Sequence, residues 1–358
     1  MSKIRVAVIF GGVSSEHDVS LVTATSIISN LPKDKYDVIC IGITKKGRWL
    51  YYPGDIQQIA TGEWERNPDC ASAILSPDPI HKGFVKLDRD DVSFQKVDVL
   101  FPALHGKNGE DGTIQGLFEL SGIPYVGCSV LASANCMDKE LTHTVLGSSG
   151  IRMAKYRVVK TADLSHLEEK CLEIAGDLGF PLFVKPANGG STIGINKATD
   201  QQSLADAVKF AFAHDKKVIV EEFIRGQEVE CAVMGNDAPV ASVIGEIVPA
   251  KEFYDYEAKY ILGSTNLYIP ARISDESSQG IRELALTAYK AMGCTGLSRV
   301  DFFLEEGGGI VLNEINTLPG FTPISMYPKL MGAMGVPYGE LLDRLVGLAF
   351  ERADTMPD

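Results

Sequence analysis

Asp301 and Glu314 sit in two apolar-rich segments, residues 296–304 and 310–316, separated by Glu305, Glu306 and three glycines. Alternating runs joined by a Gly-rich turn predict an antiparallel hairpin. With Glu306 to Gly309 as the loop, Leu304 pairs with Val311 and Asp301 falls opposite Glu314. Period two then sets Arg299, Asp301, Glu314 and Asn316 on one face. Two carboxylates directly across a ladder, with Cβ atoms about 4.5–5.5 Å apart, repel each other unless a cation lies between them. Oxygen ligands suit a hard ion, Mg²⁺ or Mn²⁺, whose shell is commonly completed by phosphate oxygens and water. Arg299 beside them suggests an anionic ligand. A solvated hairpin with scattered charges fits the same residues, so the rest of the chain must decide.

Other segments carry compatible groups. Lys185 precedes Gly189, Gly190, Ser191 and Thr192, whose backbone N–H groups and hydroxyls can cover a phosphate; a plain turn fits equally. The loop lacks the Gly-Lys-Ser/Thr ending of a Walker A motif and does not open a helix as a dinucleotide fingerprint does. Gly11 and Gly12 after the first apolar run lack the third glycine of that fingerprint. Glu221 and Glu222 close the apolar run from Val218 and lead through Phe223 to Ile224. Such a strand edge can read an adenine through its main chain while Glu228 takes ribose hydroxyls, or it is a strand end with two surface carboxylates. Lys139 opens a helix candidate, and a lysine there is commonly only solvated. His105 lies in a Gly-rich loop after a strand, facing either a ligand or its own turn. Tyr254, Tyr256, Lys259 and Tyr260 make an amphipathic loop that can act as a lid or simply pack.

The elements that must position these groups are legible in part. Residues 4–10 read as a buried strand, 19–28 as a helix and 36–44 as a second strand, the start of a right-handed βαβ unit in a parallel sheet. A further strand at 97–101 brings His105 to the carboxyl edge of that sheet, beside Ser14, Ser15 and Glu16, where ligands bind in such folds. Residues 50–91 show no clear period. A second unit from Cys128 holds helices at 138–146, 167–178 and 203–213, with strands at 182–185, 194–197 and 218–223. A third holds strands at 228–234 and 239–247, a helix at 278–292, the hairpin and a terminal helix. At 358 residues, 23% charged and 45% in the AVILMFWYC set, this is an α/β globular protein of two or three domains. A balance of 34 basic against 47 acidic side chains, net −13, advertises neither nucleic acid nor an anionic membrane as partner. Seven scattered cysteines without CxxC or zinc-like spacing read as buried thiols of a reducing compartment. No run approaches membrane-spanning length, and the expected location is the cytoplasm.

These pieces occur in a familiar order. Glu-His-Asp-Val-Ser-Leu at 16–21, Leu-His-Gly-x-x-Gly-Glu-Asp-Gly at 104–112, Met-Asp-Lys at 137–139, Lys-Pro-x-x-x-Gly-Ser-Thr at 185–192, Tyr-Asp-Tyr-Glu-Ala-Lys-Tyr at 254–260, Arg-Val-Asp at 299–301 and Asn-Glu-Ile-Asn-Thr-Leu-Pro-Gly-Phe-Thr at 313–322 resemble the D-alanine–D-alanine ligases. The resemblance runs from residue 4 to about 348. It implies a three-domain ATP-grasp ligase: a Rossmann-like N-terminal domain over 1–127, a central ATP-grasp subdomain over 128–221, and a C-terminal one over 222–358 with metal site and lid. It further implies ATP as co-substrate, two Mg²⁺ or Mn²⁺ ions, D-alanine as substrate, D-alanyl-D-alanine for peptidoglycan as product, and a homodimer. By motif, Lys139 and Lys185 would contact ATP phosphates and Ser191 would cover them. Glu221, Glu222, Phe223 and Ile224 would hold adenine, Glu228 the ribose, and Phe183 and Phe303 would pack on the ring. Asp301, Glu314 and Asn316 would bind metal. Glu16 would accept the first D-alanine's ammonium, Arg299 and the Gly320 backbone would stabilise the oxyanion, and Ser325 and Lys259 would bind the second D-alanine's carboxylate. Glu16, Ser191 and Tyr260 would close the lid, with His105 and Met326 also at the substrate.

Thr192 stands where the resemblance leads one to expect serine, and Asp18 where glutamate is commoner. Related vancomycin-resistance ligases join D-alanine to D-serine or D-lactate. Tyr260 argues against the lactate type, and apolar Met326 after Ser325 favours a methyl side chain. Another ATP-grasp ligase acting on a larger carboxylate would share the metal hairpin but would not need Glu16, Tyr260 and Ser325 together. A regulatory nucleotide-binding module predicts loss of a metal ligand or phosphate lysine, and neither is lost.

Overall fold

The computed structural model describes residues 2–88, 91–190, 194–248 and 266–354. Strands of the described residues form three sheets. In the first, β1 (Ile4–Gly11), β2 (Tyr36–Ile43) and β7 (Val99–Ala103) are parallel, with β1 between the other two. The apolar run of β1 is buried from Val6 onward because α1 (His17–Asn30) covers one face of the sheet and Ile114 and Phe118 of α3 (Thr113–Ser121) pack on the other with Ala7 and Ile9. The sheet as a whole is mixed rather than parallel. β3 (Trp49–Tyr52), β4 (Ala71–Leu75), β5 (Gly83–Asp88) and β6 (Asp91–Lys96) extend it by antiparallel pairing. The connections β2–β3, β4–β5 and β5–β6 are short and permit this, whereas a parallel step needs a crossover; the longer β3–β4 connection carries the single-turn helix α2 (Gln57–Ala60).

Gly11 fixes how this sheet meets its site. The Gly12 N–H donates to the Ile43 carbonyl at 2.8 Å, so the chain leaves β1 hugging β2. A Cβ on Gly11 would lie 2.1 Å from that carbonyl oxygen, at φ +88°. Ser20 of α1 accepts from the Gly11 N–H at 2.7 Å and donates to the Ala103 carbonyl. The carboxyl ends of β1 and β7 are thereby pinned to the first turn of α1, where Glu16 sits. Gly11→Ala is expected to cost about 3 kcal/mol through strain and overpacking, read as a lower urea midpoint with unchanged m-value.

Two helices, α4 (Val130–Met137) and α5 (Lys139–Ser148), lead into an all-antiparallel sheet ordered β10 (Asn196–Ala198), β9 (Leu182–Pro186), β11 (Lys217–Glu222), β8 (Tyr156–Lys160). The apolar faces of α6 (Leu167–Leu178) and α7 (Gln201–Ala211) close its core through Ile174, Leu204 and Val208. The third sheet runs β14 (Asn266–Tyr268), β13 (Val240–Val248), β12 (Gly226–Met234), β15 (Leu297–Glu305), β16 (Ile310–Asn316). It packs on α8 (Asp275–Ala291), with Ile281, Ala285 and Tyr289 inward. α9 (Met326–Ala333) and α10 (Tyr338–Asp354) share a core with the first sheet. Arg352 of α10 donates to the Tyr125 and Gly127 carbonyls and to Thr295, tying the first unit to the start of β15.

The hairpin register needs one correction. Beside the turn Leu304 pairs with Ile310, not Val311, and a bulge at Asn313 then restores Asp301 opposite Glu314 and Arg299 opposite Asn316. A bulge locally increases twist and re-aims side chains, and such features concentrate beside functional sites.

Candidate active site

A cavity of about 580 Å³ opens between the second and third sheets. Lys139 comes from the first residue of α5, capped by Asp138, whose side chain accepts from the Leu141 N–H. The Lys139 N–H donates to the Ala187 carbonyl and its ammonium to the Gly189 carbonyl at 2.7 Å, so helix and Gly-rich loop are one piece. Burial pushes the Lys139 pKa down, partly opposed by Glu314 and Glu221. Across β9 and β11, Glu221 lies opposite Phe183 and Ile219 opposite Lys185. Period two therefore puts Phe183, Lys185 and Glu221 on one face. Phe183 and Phe223 stand with ring centroids 5.8 Å apart.

The Glu221 carboxylate is turned inward. It receives the Lys185 ammonium at 2.5 Å and the His143 imidazole at 2.7 Å. Burial alone would raise its pKa, but Lys185 and His143 prevail and hold it at about 2. Glu222 accepts from the Lys155 N–H at 2.9 Å. Both side chains are engaged within the protein, which leaves the main chain beyond the Glu222 N–H, itself bonded to the Lys155 carbonyl at 2.9 Å, as the edge along the cavity. Lys139, Phe183, Lys185, Glu221, Glu222, Phe223, Ile224, Glu228 and Phe303, the residues that the motifs assign to nucleotide, all line it. Asp301 and Glu314 border it too.

Around those carboxylates the charges are interlocked. Arg299 grips Asp301 through two bonds of 2.7 Å and approaches Glu230 at 3.0 Å. Burial alone would lower the Arg299 pKa, yet Asp301, Glu230 and Glu314 hold it well above its ordinary value. Asn316 donates to Asp301 at 2.9 Å and stands 3.5 Å from Glu314. Among the described residues no three His, Cys, Asp or Glu side chains gather as a metal cluster; the set here is two carboxylates and an amide. Its oxygens match what a hard divalent ion takes.

A second group of residues surrounds Glu16, which is 6% exposed. A Cβ on Gly106 would lie 2.5 Å from a Glu16 oxygen, and one on Gly190 would lie 3.0 Å from it. Two glycine backbones thus close on this carboxylate, and Gly190 also lines the cavity. His105 is buried, pairs through Nε2 with Thr23 of α1 at 2.9 Å, and does not line the cavity. Burial pushes its pKa down, partly opposed by Glu16. Gly320 and Ser325 meet in the turn before α9, where the Ser325 hydroxyl accepts from the Thr322 N–H at 3.0 Å. Met326, expected at the second substrate, is instead a core side chain: it is 5% exposed, with its sulfur against Gly245 of β13. Ser191, Lys259 and Tyr260, with the rest of the 254–260 loop, lie outside the described residues.

Glu110 is a site residue that sequence reasoning gave no role. It accepts the Gly106 N–H at 2.7 Å and the Leu318 N–H at 3.3 Å, bracing the loop after β7 against the loop after β16. Its only sequence signal is its place in the 104–112 motif. Burial first, then the Glu16 charge, push its pKa up to about 8, against the two N–H bonds. A carboxyl raised from 4.5 to about 8 on folding gives stability that is full below pH 4.5 and is lost as pH rises through about 8. The melting temperature of the parent minus that of Glu110→Gln is therefore expected to decline from about pH 5 to about pH 8.5. A flat difference would contradict the assignment.

Known proteins resemble this chain over most of its length. The N-terminal domain model of the D-ala D-ala ligases matches residues 5–128 and the C-terminal model matches residues 145–347. D-alanine–D-alanine ligases of Ruminiclostridium cellulolyticum and Caldicellulosiruptor bescii are 51% and 48% identical, each alignment covering 98% of this chain and 96% of the relative. Among solved structures, the VanG D-Ala:D-Ser ligase of Enterococcus faecalis is 44% identical with a TM-score of 0.89, covering 97% of this chain and 100% of that one. The D-alanine-D-alanine ligase of Coxiella burnetii is 34% identical with a TM-score of 0.86, covering 99% of this chain and 96% of that one. Matched along nearly its whole length in sequence and in fold, the chain belongs to the D-alanine–D-alanine ligase family.

Proposed function

We propose that this chain joins two D-alanine molecules into D-alanyl-D-alanine, converting ATP to ADP and phosphate, and so supplies a peptidoglycan precursor in the cytoplasm. The observation that supports it best is one cavity bordered by two lysines, a main-chain edge with flanking phenylalanines, and the Asp301–Glu314 pair. Among the described residues no helix is long and apolar enough to cross a membrane. The proposed division is 1–127, 128–221 and 222–358, with nucleotide between the second and third units.

A carboxylate is a poor electrophile and must first be activated. An oxygen of the first D-alanine's carboxylate attacks the γ-phosphorus, the bond to ADP breaks, and an acyl phosphate forms. The neutral amine of the second D-alanine then attacks that carbonyl, phosphate leaves, and the amine's proton is released. Lys139 and Lys185 offset the charge of the phosphates as carboxylate and triphosphate approach. Glu16 holds the first ammonium, while Arg299 and the Gly320 N–H receive charge on the carbonyl oxygen. Asp301, Glu314 and Asn316 would hold Mg²⁺ or Mn²⁺, which supplies further neutralisation of phosphate oxygens. Ser191, Lys259 and Tyr260 would complete a cover that keeps water from the acyl phosphate.

D-Serine as second substrate is the alternative, favoured by the likeness to the VanG enzyme and by the removal of Met326 from the substrate's side. ADP release with ATP, Mg²⁺ and D-alanine alone, against D-alanine plus D-serine or D-lactate, with dipeptide identified by mass, separates the two. Turnover on D-alanine alone is expected; turnover only with a second compound would overturn the D-alanine reading.

A further inference from the structure

His143 has no part in the mechanism above, yet its side chain is 4% exposed and is held on two sides. Its ring lies over Tyr156 with centroids 4.2 Å apart, and its Nε2 meets a Glu221 oxygen at 2.7 Å. Tyr156, Glu221 and Phe183 form one cross-strand row over β8, β11 and β9, and Lys185 is diagonal to Glu221 on the same face. The second Glu221 oxygen holds the Lys185 ammonium at 2.5 Å, and the same ammonium stands 3.5 Å from Asn313 at the bulge of β16.

From this line of bonds we infer that His143 is a positioning residue for the nucleotide: by occupying one oxygen of Glu221, it leaves a single carboxylate oxygen to hold and aim Lys185. The inference rests on the reading of Lys185 as a phosphate contact. A carboxylate with both oxygens available can rotate and chelate an ammonium. One oxygen fixed by an imidazole N–H, itself stacked on Tyr156, sets the plane of the carboxylate, and Lys185 follows. The imidazole also takes part of the carboxylate's charge, so less of the lysine's charge is neutralised before phosphate arrives. The chain of effect is His143 to Glu221 to Lys185, with no contact required between His143 and ATP.

The test compares His143→Phe, which keeps a stacking ring without the N–H, with His143→Gln, which keeps a donor of similar reach. In the purified full chain, His143→Phe is expected to raise KM for ATP about tenfold, the scale of one charge-assisted hydrogen bond, with kcat and KM for D-alanine within about twofold. His143→Gln is expected within about threefold of the parent. Adenosine, which carries no phosphate, is expected to bind parent and His143→Phe alike, whereas a non-hydrolysable ATP analogue distinguishes them. Should His143→Phe fail to fold, His143→Asn replaces it, because its shorter donor cannot reach Glu221. An unchanged ATP KM without the donor, or an equal rise in the donor-keeping variant, would overturn the inference. A parent that binds the ATP analogue but makes no dipeptide would instead sink the ligase reading, and the analogue affinities of the variants would still decide this one.

Discussion

Glu314→Gln is expected to lower kcat by about a thousandfold while leaving the melting temperature within a few degrees. The substitution preserves shape but removes one of two carboxylates that face each other across the β15–β16 ladder at the cavity. In the parent, the like charges of Asp301 and Glu314 are tolerated because Arg299 and Lys139 lie near, and a divalent ion between them would turn the repulsion into affinity. With a neutral amide in place of the Glu314 carboxylate the cross-strand repulsion disappears together with the attraction to Lys139 and Arg299, so the two changes offset and stability moves little. A partial return of rate at raised Mg²⁺ would mark the loss as one of metal affinity. Activity within about tenfold of the parent, at equal Mg²⁺, would mean that Glu314 holds no ion.

Arg299→Leu is expected to be the most damaging single change at the site, costing about 3–5 kcal/mol of stability, as breaking a buried ion pair does. Arg299 is 9% exposed, bonded twice to Asp301 at 2.7 Å and set 3.0 Å from the 5%-exposed Glu230. Its removal leaves two largely buried carboxylates without their guanidinium, and Glu314 nearby adds a third negative charge. Arg299→Lys separates fold from chemistry, since an ammonium keeps the charge but cannot present the planar fork. That variant is expected to fold and to lose about a hundredfold in kcat. Equal stability of Arg299→Leu and the parent in urea unfolding would contradict the electrostatic account.

The strands of the site are well marked in the sequence, for physical reasons. β15 and β16 alternate around a glycine turn, so Asp301 opposite Glu314 can be read from spacing, although the bulge at Asn313 cannot. A plain count back from the turn places Leu304 one residue off and still arrives at the right carboxylate pair, because the bulge lies between the turn and the carboxylates. Buried runs such as Val6 to Phe10 and Val218 to Val220 announce β1 and β11. By contrast β4 buries Ala71 and Ala73 while leaving Ile74 exposed, β5 buries only Gly83 and Phe84, and β3 spans only Trp49–Tyr52, so residues 50–91 carry too weak a period to order. β8, α4 and α9 are likewise absent from the sequence reading; α4 and α9 are short, and much of their stability comes from packing on neighbours. The position of Met326 after Ser325 says nothing of which way a helix's first side chain turns, so its place in the core could not be foreseen. His143 and Glu110 give no signal alone, since what they do depends on strands and loops distant in sequence.

The most direct test of the central claim, activation of a carboxylate by phosphoryl transfer, is the fate of its oxygen. With D-alanine labelled by ¹⁸O in the carboxylate, ATP and Mg²⁺, the purified chain is expected to release phosphate carrying one labelled oxygen for each dipeptide made, and unlabelled ADP. Unlabelled phosphate accompanying dipeptide formation, or label recovered in AMP, would contradict an acyl phosphate and with it the roles assigned to Lys139, Lys185 and the Asp301–Glu314 pair.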